Sequence, residues 1–153
     1  MNIKYNIELN KVKIGTTDFE FADVPMGVVY GRVYFENIES PYEFFKNHCN
    51  KFNIQLIDND PDLKSIDTGI IPDLKVYLDN GMELPGWGAA IIGMDNVEYE
   101  IQFSGISTEI MQTEFKHHFD EYYEWIQPAP NKFPAHNHKT TFKPICKSFS
   151  KLT

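Results

Sequence analysis

Val97-Glu98-Tyr99-Glu100-Ile101-Gln102-Phe103 is the clearest strand signal in this chain. Apolar and polar residues alternate there without a break, the pattern of a strand with one face buried and the other wet. Strands of that kind belong to antiparallel sheets, and the flanking sequence agrees. Asp95-Asn96 marks a turn just upstream, and residues 89–92 form an extended apolar run before it. Leu74, Val76 and Leu78 alternate into Asp79-Asn80-Gly81, a strong hairpin signal. The return from Met82 is cut short at Pro85-Gly86-Trp87-Gly88.

The opening of the chain reads the same way. Ile3, Tyr5, Ile7 and Leu9 alternate with polar residues, after which the apolar phase slips to Val12 and Ile14. That slip indicates a bulge or a second short strand before a turn at Gly15-Thr16-Thr17. Phe19 and Phe21 begin another extended piece, interrupted at Val24-Pro25-Met26-Gly27, and residues 28–35 are a β-branched and aromatic run suited to a sheet interior. Residues 54–57 read as a short strand leading into the acidic loop Asp58-Asn59-Asp60-Pro61-Asp62.

Two helices punctuate this pattern. Ser40-Pro41-Tyr42-Glu43 combines a hydroxyl cap, proline at the first helical position and glutamate three residues after the cap. Tyr42, Phe45, Cys49 and Phe52 then share one face, and Asn53 is the expected stop. Ser107 or Thr108 caps the second helix, whose stripe is Met111, Phe115, Phe119, Tyr122 and Ile126, ended by Gln127-Pro128-Ala129-Pro130. The expectation is a single-domain α+β fold over residues 1–127. Its antiparallel sheet should have about five to seven strands, with two helices packed on one face. Residues 128–153 should be an irregular, Pro-containing basic tail, extended or docked on the domain.

Charge is the strongest functional clue. All 22 acidic residues lie in the first 127 positions beside nine of the 14 basic ones, while the other five, all lysines, follow Pro128. An acidic body repels nucleic acid and attracts cationic partners. The lysine-bearing tail is expected to dock on the chain's own acidic face rather than on phosphates. No stretch approaches a membrane span, and the N-terminus lacks the apolar run of a signal peptide. With Cys49 and Cys146 the only cysteines, reduced thiols and a cytoplasmic setting are expected.

Catalytic motifs are missing. Asp58, Asp60 and Asp62 have the first three spacings of a calcium loop, but Leu63 and Gly69 stand where its glycine and glutamate belong. Glu114, His117 and His118, perhaps with Glu121, are the candidates for a metal pair on the second helix. His136, His138 and Cys146 match no zinc-finger spacing. Cys49 lies on the apolar face of the first helix and reads as a core thiol. Trp87, between glycines and prolines, is either a lid on the sheet or an exposed binding anchor.

The reading these features support is a non-enzymatic protein-binding module without cofactor. It would be a small inhibitor of the immunity-protein or antitoxin type that neutralises a basic partner such as a nuclease toxin. The expected contact residues are Asp58, Asp60, Asp62, Asp79, Glu83, Trp87, Asp95, Glu98 and Glu100. The alternatives are a small metal-dependent hydrolase built on His117, His118 and Glu114, and a phage-type DNA mimic.

Overall fold

The computed structural model describes residues 3–127. The basic segment 128–153, with His136, His138 and Cys146, lies outside the described residues. The chain divides into a compact unit Met1–Tyr122 and a second, Tyr123–Thr153, of which the described part is the end of the last helix.

The element order is β1 (Tyr5–Leu9), β2 (Val12–Thr17), β3 (Phe21–Asp23), β4 (Val28–Phe35), α1 (Pro41–Lys51), β5 (Asp58–Asp60), β6 (Ser65–Ile71), β7 (Leu74–Tyr77), β8 (Gly88–Met94), β9 (Glu98–Ser104), α2 (Thr108–Thr113) and α3 (Lys116–Ile126). All strand pairs are antiparallel, in the order β5-β6-β8-β9-β4-β2-β1-β7, and β3 pairs with the first half of β4. The sheet stays open, with β5 and β7 at its ends.

The α+β architecture agrees with the sequence; among the described residues the sheet is larger than expected, with nine strands, and the helices number three. Asn10 and Lys11 both take positive φ, so the chain reverses in two residues and Val12 pairs directly with Leu9. A bulge after Ile7 absorbs the slip in apolar phase, and Gly15-Thr16-Thr17 continues β2 instead of turning. Residues 54–57 are not a strand; the pairing begins at Asp58, where the acidic loop was expected. β6 carries no sustained alternation because its register shifts between Asp67 and Ile70. There the Thr68 hydroxyl, in a buried side chain, accepts the Ile91 N–H at 3.0 Å and donates to the Gly69 carbonyl at 2.7 Å.

One sheet face is the core. Ile71, Ala89, Phe103 and Val29 line up across four strands there, and Ile66, Gly93 and Tyr99 across three. Tyr42, Phe45 and Cys49 of α1 join this cluster, as do Met111 of α2 and Phe115. Tyr5, Phe19 and Phe115 form an aromatic triangle with centroids 5.1 to 6.0 Å apart. The expected second helix breaks at Glu114-Phe115, which turns Phe115 and then His118 inward. The expected stripe of Phe119, Tyr122 and Ile126 gives way accordingly, with Phe119 only half-buried and Ile126 exposed.

The N-terminus of α1 is fully accounted for. Proline at its first position has no N–H to satisfy. The Tyr42 N–H donates to Asp95 Oδ1 at 3.0 Å, and the Glu43 N–H to Ser40 Oγ at 3.2 Å. Ser40 Oγ donates in turn to Asp95 Oδ2 at 2.5 Å, and the Tyr99 hydroxyl to Asp95 Oδ1 at 2.8 Å. Gly93 makes this reach feasible, because a Cβ there would sit 2.6 Å from the Tyr99 ring. At the other end Asn53 takes φ 55°, with Ile54 N–H bonded to the Cys49 carbonyl and Asn53 N–H to that of Asn50. This is the left-handed stop that the sequence indicates.

Burial opposes ionisation of Asp95. The hydrogen bonds from Ser40, Tyr42 and Tyr99, with Lys64 nearby, outweigh it and hold the carboxyl below its ordinary range. A folded-state pKa below the unfolded value means that this stabilisation is complete above roughly pH 4. It is lost as pH falls through the lower folded value. Asp95→Asn is therefore expected to destabilise the protein by about 2 kcal/mol at pH 7. Urea denaturation of both proteins should show the gap closing as pH falls below 4; a gap independent of pH contradicts the assignment.

Candidate functional site

The face of β6, β8, β9 and β4 opposite the core carries the gathering of carboxylates. Cross-strand partners share a face, so the registers define its rows. Asp58 stands opposite Asp67, Asp67 opposite Ile92, Ile92 opposite Glu100, and Glu100 opposite Arg32. A second row runs Asp60, Ser65, Met94, Glu98. A third runs Ile70, Ala90, Gln102, Tyr30, Phe21. Five carboxylates thus share these rows with one cation, Arg32, at the far margin.

Four of the nine expected contact residues, Asp58, Asp60, Glu98 and Glu100, meet on this face. Their local bonds leave the charges in place: Asp58 Oδ1 accepts the Asn59 N–H, and Asp60 Oδ1 accepts the N–H groups of Asp62 and Leu63. Glu100 accepts from the Gln102 amide at 3.0 Å. Asp62 lies in the exposed turn following β5. Asp67 was not anticipated, since its strand is the one whose alternation the bulge interrupts. Directly opposed aspartates, Asp58 and Asp67, are unfavourable in a sheet, and no cation bridges them among the described residues.

The other expected residues lie elsewhere. Asp79 and Glu83 flank the hairpin beyond β7, at the opposite end of the strand order, and Glu83 pairs with Lys75 at 3.2 Å. Asp95 is turned inward, its oxygens taken by the donors that fasten α1. A residue so committed has little left for a partner. The expected acidic contact residues therefore divide into an outer sheet group with Asp62 in the turn beside it, a hairpin group and one internal anchor.

Trp87 does not fold over the core as a lid: it is 79% exposed. Its ring lies against Gly105, where an added Cβ would come within 2.3 Å of the indole and φ is 76°. The indole is thus fixed in place although open to solvent. It walls a cleft of about 300 Å³ with Pro72, Leu84, Pro85 and Phe103.

His118 has a structural position. Its Nε2 lies 2.7 Å from the Phe19 carbonyl, which makes it a donor to that oxygen. Phe19 is fully buried at φ 46°, unusual for an aromatic residue. The Thr17 hydroxyl accepts its N–H at 3.3 Å. His118 and Thr17 therefore hold a strained residue from both sides. The His117 ring lies against that of His118, tilted by 39° with centroids 4.0 Å apart. Burial first, and then the neighbouring imidazole, lower its pKa against the opposing pull of Glu121. Glu114 lies in the break between α2 and α3. Among the described residues no three His, Cys, Asp or Glu side chains come close enough to hold a metal. Cys49 is a buried free thiol whose pKa burial raises, away from nucleophilic use.

No family model, characterised protein sequence or solved structure matches the chain. No helix among the described residues is long and apolar enough to cross a membrane.

His118→Leu is expected to leave the buried Phe19 carbonyl without its donor and to cost about 1–3 kcal/mol. Thermal unfolding with and without added zinc checks this. A large stabilisation of the native protein by zinc that the variant lacks would instead make His118 a ligand.

Proposed function

We propose that this chain is a non-enzymatic protein-binding module, a small inhibitor of the immunity-protein or antitoxin type. It would act in the cytoplasm and neutralise a basic partner such as a nuclease toxin. One observation carries the reading: carboxylates distant in sequence converge on a sheet face whose rows hold a single cation among the described residues. Steering by such a field raises encounter rates with a basic protein and suppresses nucleic acid as a competitor. Carboxylates meeting the lysines and arginines that a nuclease uses for phosphates would block its substrate site. The engagement of His118 with the Phe19 carbonyl weighs against the metal-dependent alternative. The apolar residues between the acids, Ile92 and Met94, are not what imitation of two phosphate rows requires.

Co-expression with the product of the adjacent reading frame and measurement of the complex test this. A basic partner should bind in the nanomolar range, with an association rate that falls about tenfold or more between low and high salt. A chelator-sensitive hydrolase activity, or an association rate indifferent to salt, contradicts it.

A further inference from the structure

We infer that the basic partner docks on the outer face of β6, β8, β9 and β4, with binding energy concentrated in the apolar residues between the carboxylates. The inference rests on the protein-binding reading above and adds where the partner sits and what its surface must contain.

The buried side chains of α1 and α2 enter the core cluster on the inner face, and half-buried Phe119 of α3 packs against it. The outer face is left without a covering helix among the described residues. On an antiparallel sheet facing only water, that side should be uniformly polar. It is not. Ile92 and Met94 lie in adjacent rows of β8, and Ile70 and Phe21 are 45% and 56% exposed at the two ends of the third row. Phe21 stacks on Tyr30 with centroids 5.4 Å apart, so that margin is already ordered. Asp58, Asp67, Glu98 and Glu100 border the strip on the β5 and β9 sides.

An apolar centre with a charged rim is the anatomy of a protein interface. The sign of the rim selects the occupant: a protein surface with an aliphatic or aromatic centre flanked by lysine or arginine. A second copy of the chain would bring like charges together, which disfavours self-association here. The carboxylates govern approach and the strip governs retention, because rim charges act mainly on association rates and buried anchors on dissociation.

The test uses the full-length, isotope-labelled chain and two cationic peptides, one alternating arginine with leucine, the other arginine with glycine. Both should perturb the amides of Asp67, Ile92 and Glu100, with the leucine peptide bound about tenfold more tightly, the scale of one good anchor. Ile92→Ser should abolish that advantage and leave the glycine peptide unaffected. Tyr30→Ser provides the same readout should Ile92→Ser fail to fold. Glu98→Gln with Glu100→Gln should weaken both peptides equally.

Equal affinities for the two peptides overturn the inference. So do perturbations centred on Asp79 to Trp87, although that result leaves an acidic binding module standing. Failure of both peptides to bind removes the module as well. The chain's own lysines provide a further arm, with Lys132, Lys139, Lys143, Lys147 and Lys151 replaced by glutamine. If that change alone perturbs the same amides and tightens the peptides, the occupant is the C-terminal segment and the inference fails.

Discussion

The carboxylate of Asp95 is the constraint on which the arrangement of the first unit depends. It sits in the tight turn between β8 and β9, yet it completes the first turn of α1, more than fifty residues earlier in sequence. Through the Tyr99 hydroxyl it also grips the inner face of β9. Helix, turn and central strand are thus locked by one side chain. The adjacent Tyr42 hydroxyl extends the lock to the edge strand by donating to Asn59 Oδ1. Burial, and then the hydrogen bond and charge of Asp95, push the Tyr99 phenol well above its ordinary pKa, so it remains a donor at any physiological pH. A negative charge at a helix N-terminus adds a favourable dipole interaction.

Fastening α1 to the inner face gives the sheet its sidedness. Phe35 packs against both Phe45 of the helix and Tyr99 of the sheet, with centroids 5.9 and 5.6 Å away. The break between α2 and α3 places Phe115 on the same side, against Tyr5 and Phe19. Apolar burial is therefore directed to one face, and Ile92, Met94, Tyr30 and Phe21 remain on the other among acids. What the sheet leaves uncovered follows from where its helices are held, and the functional reading follows from that exposure.

Much of this was legible in the sequence because it depends on local chemistry. The cap Ser40-Pro41, the stop at Asn53, the alternation of β9 and the turn at Asp79-Asn80-Gly81 are all short-range signals that the fold respects. What escaped depends on pairing. β6 was hidden because a bulge at Thr68-Gly69 interrupts its alternation, and Asp67 was hidden with it. The strand at Asp58–Asp60 exists because β6 is there to pair with it, against the low strand propensity of aspartate and asparagine. Asp95 looked like any surface acid, since nothing in its neighbourhood announces a distant helix end. Asp79 and Glu83 looked contiguous with Glu98 and Glu100 in sequence, but they flank the hairpin beyond β7, which pairs with β1, and Glu83 is taken by Lys75.

The inhibitor reading requires the mixed acidic and apolar face to be open to a partner. Hydroxyl-radical footprinting of the full-length chain alone reads that openness, with side chains on the two faces serving as internal controls. Met94 and Tyr30, which are half-buried, should be labelled well above the buried Met111 and Phe103. Protection of Met94 and Tyr30 to the level of Met111 would contradict the reading, because the face would then already be covered.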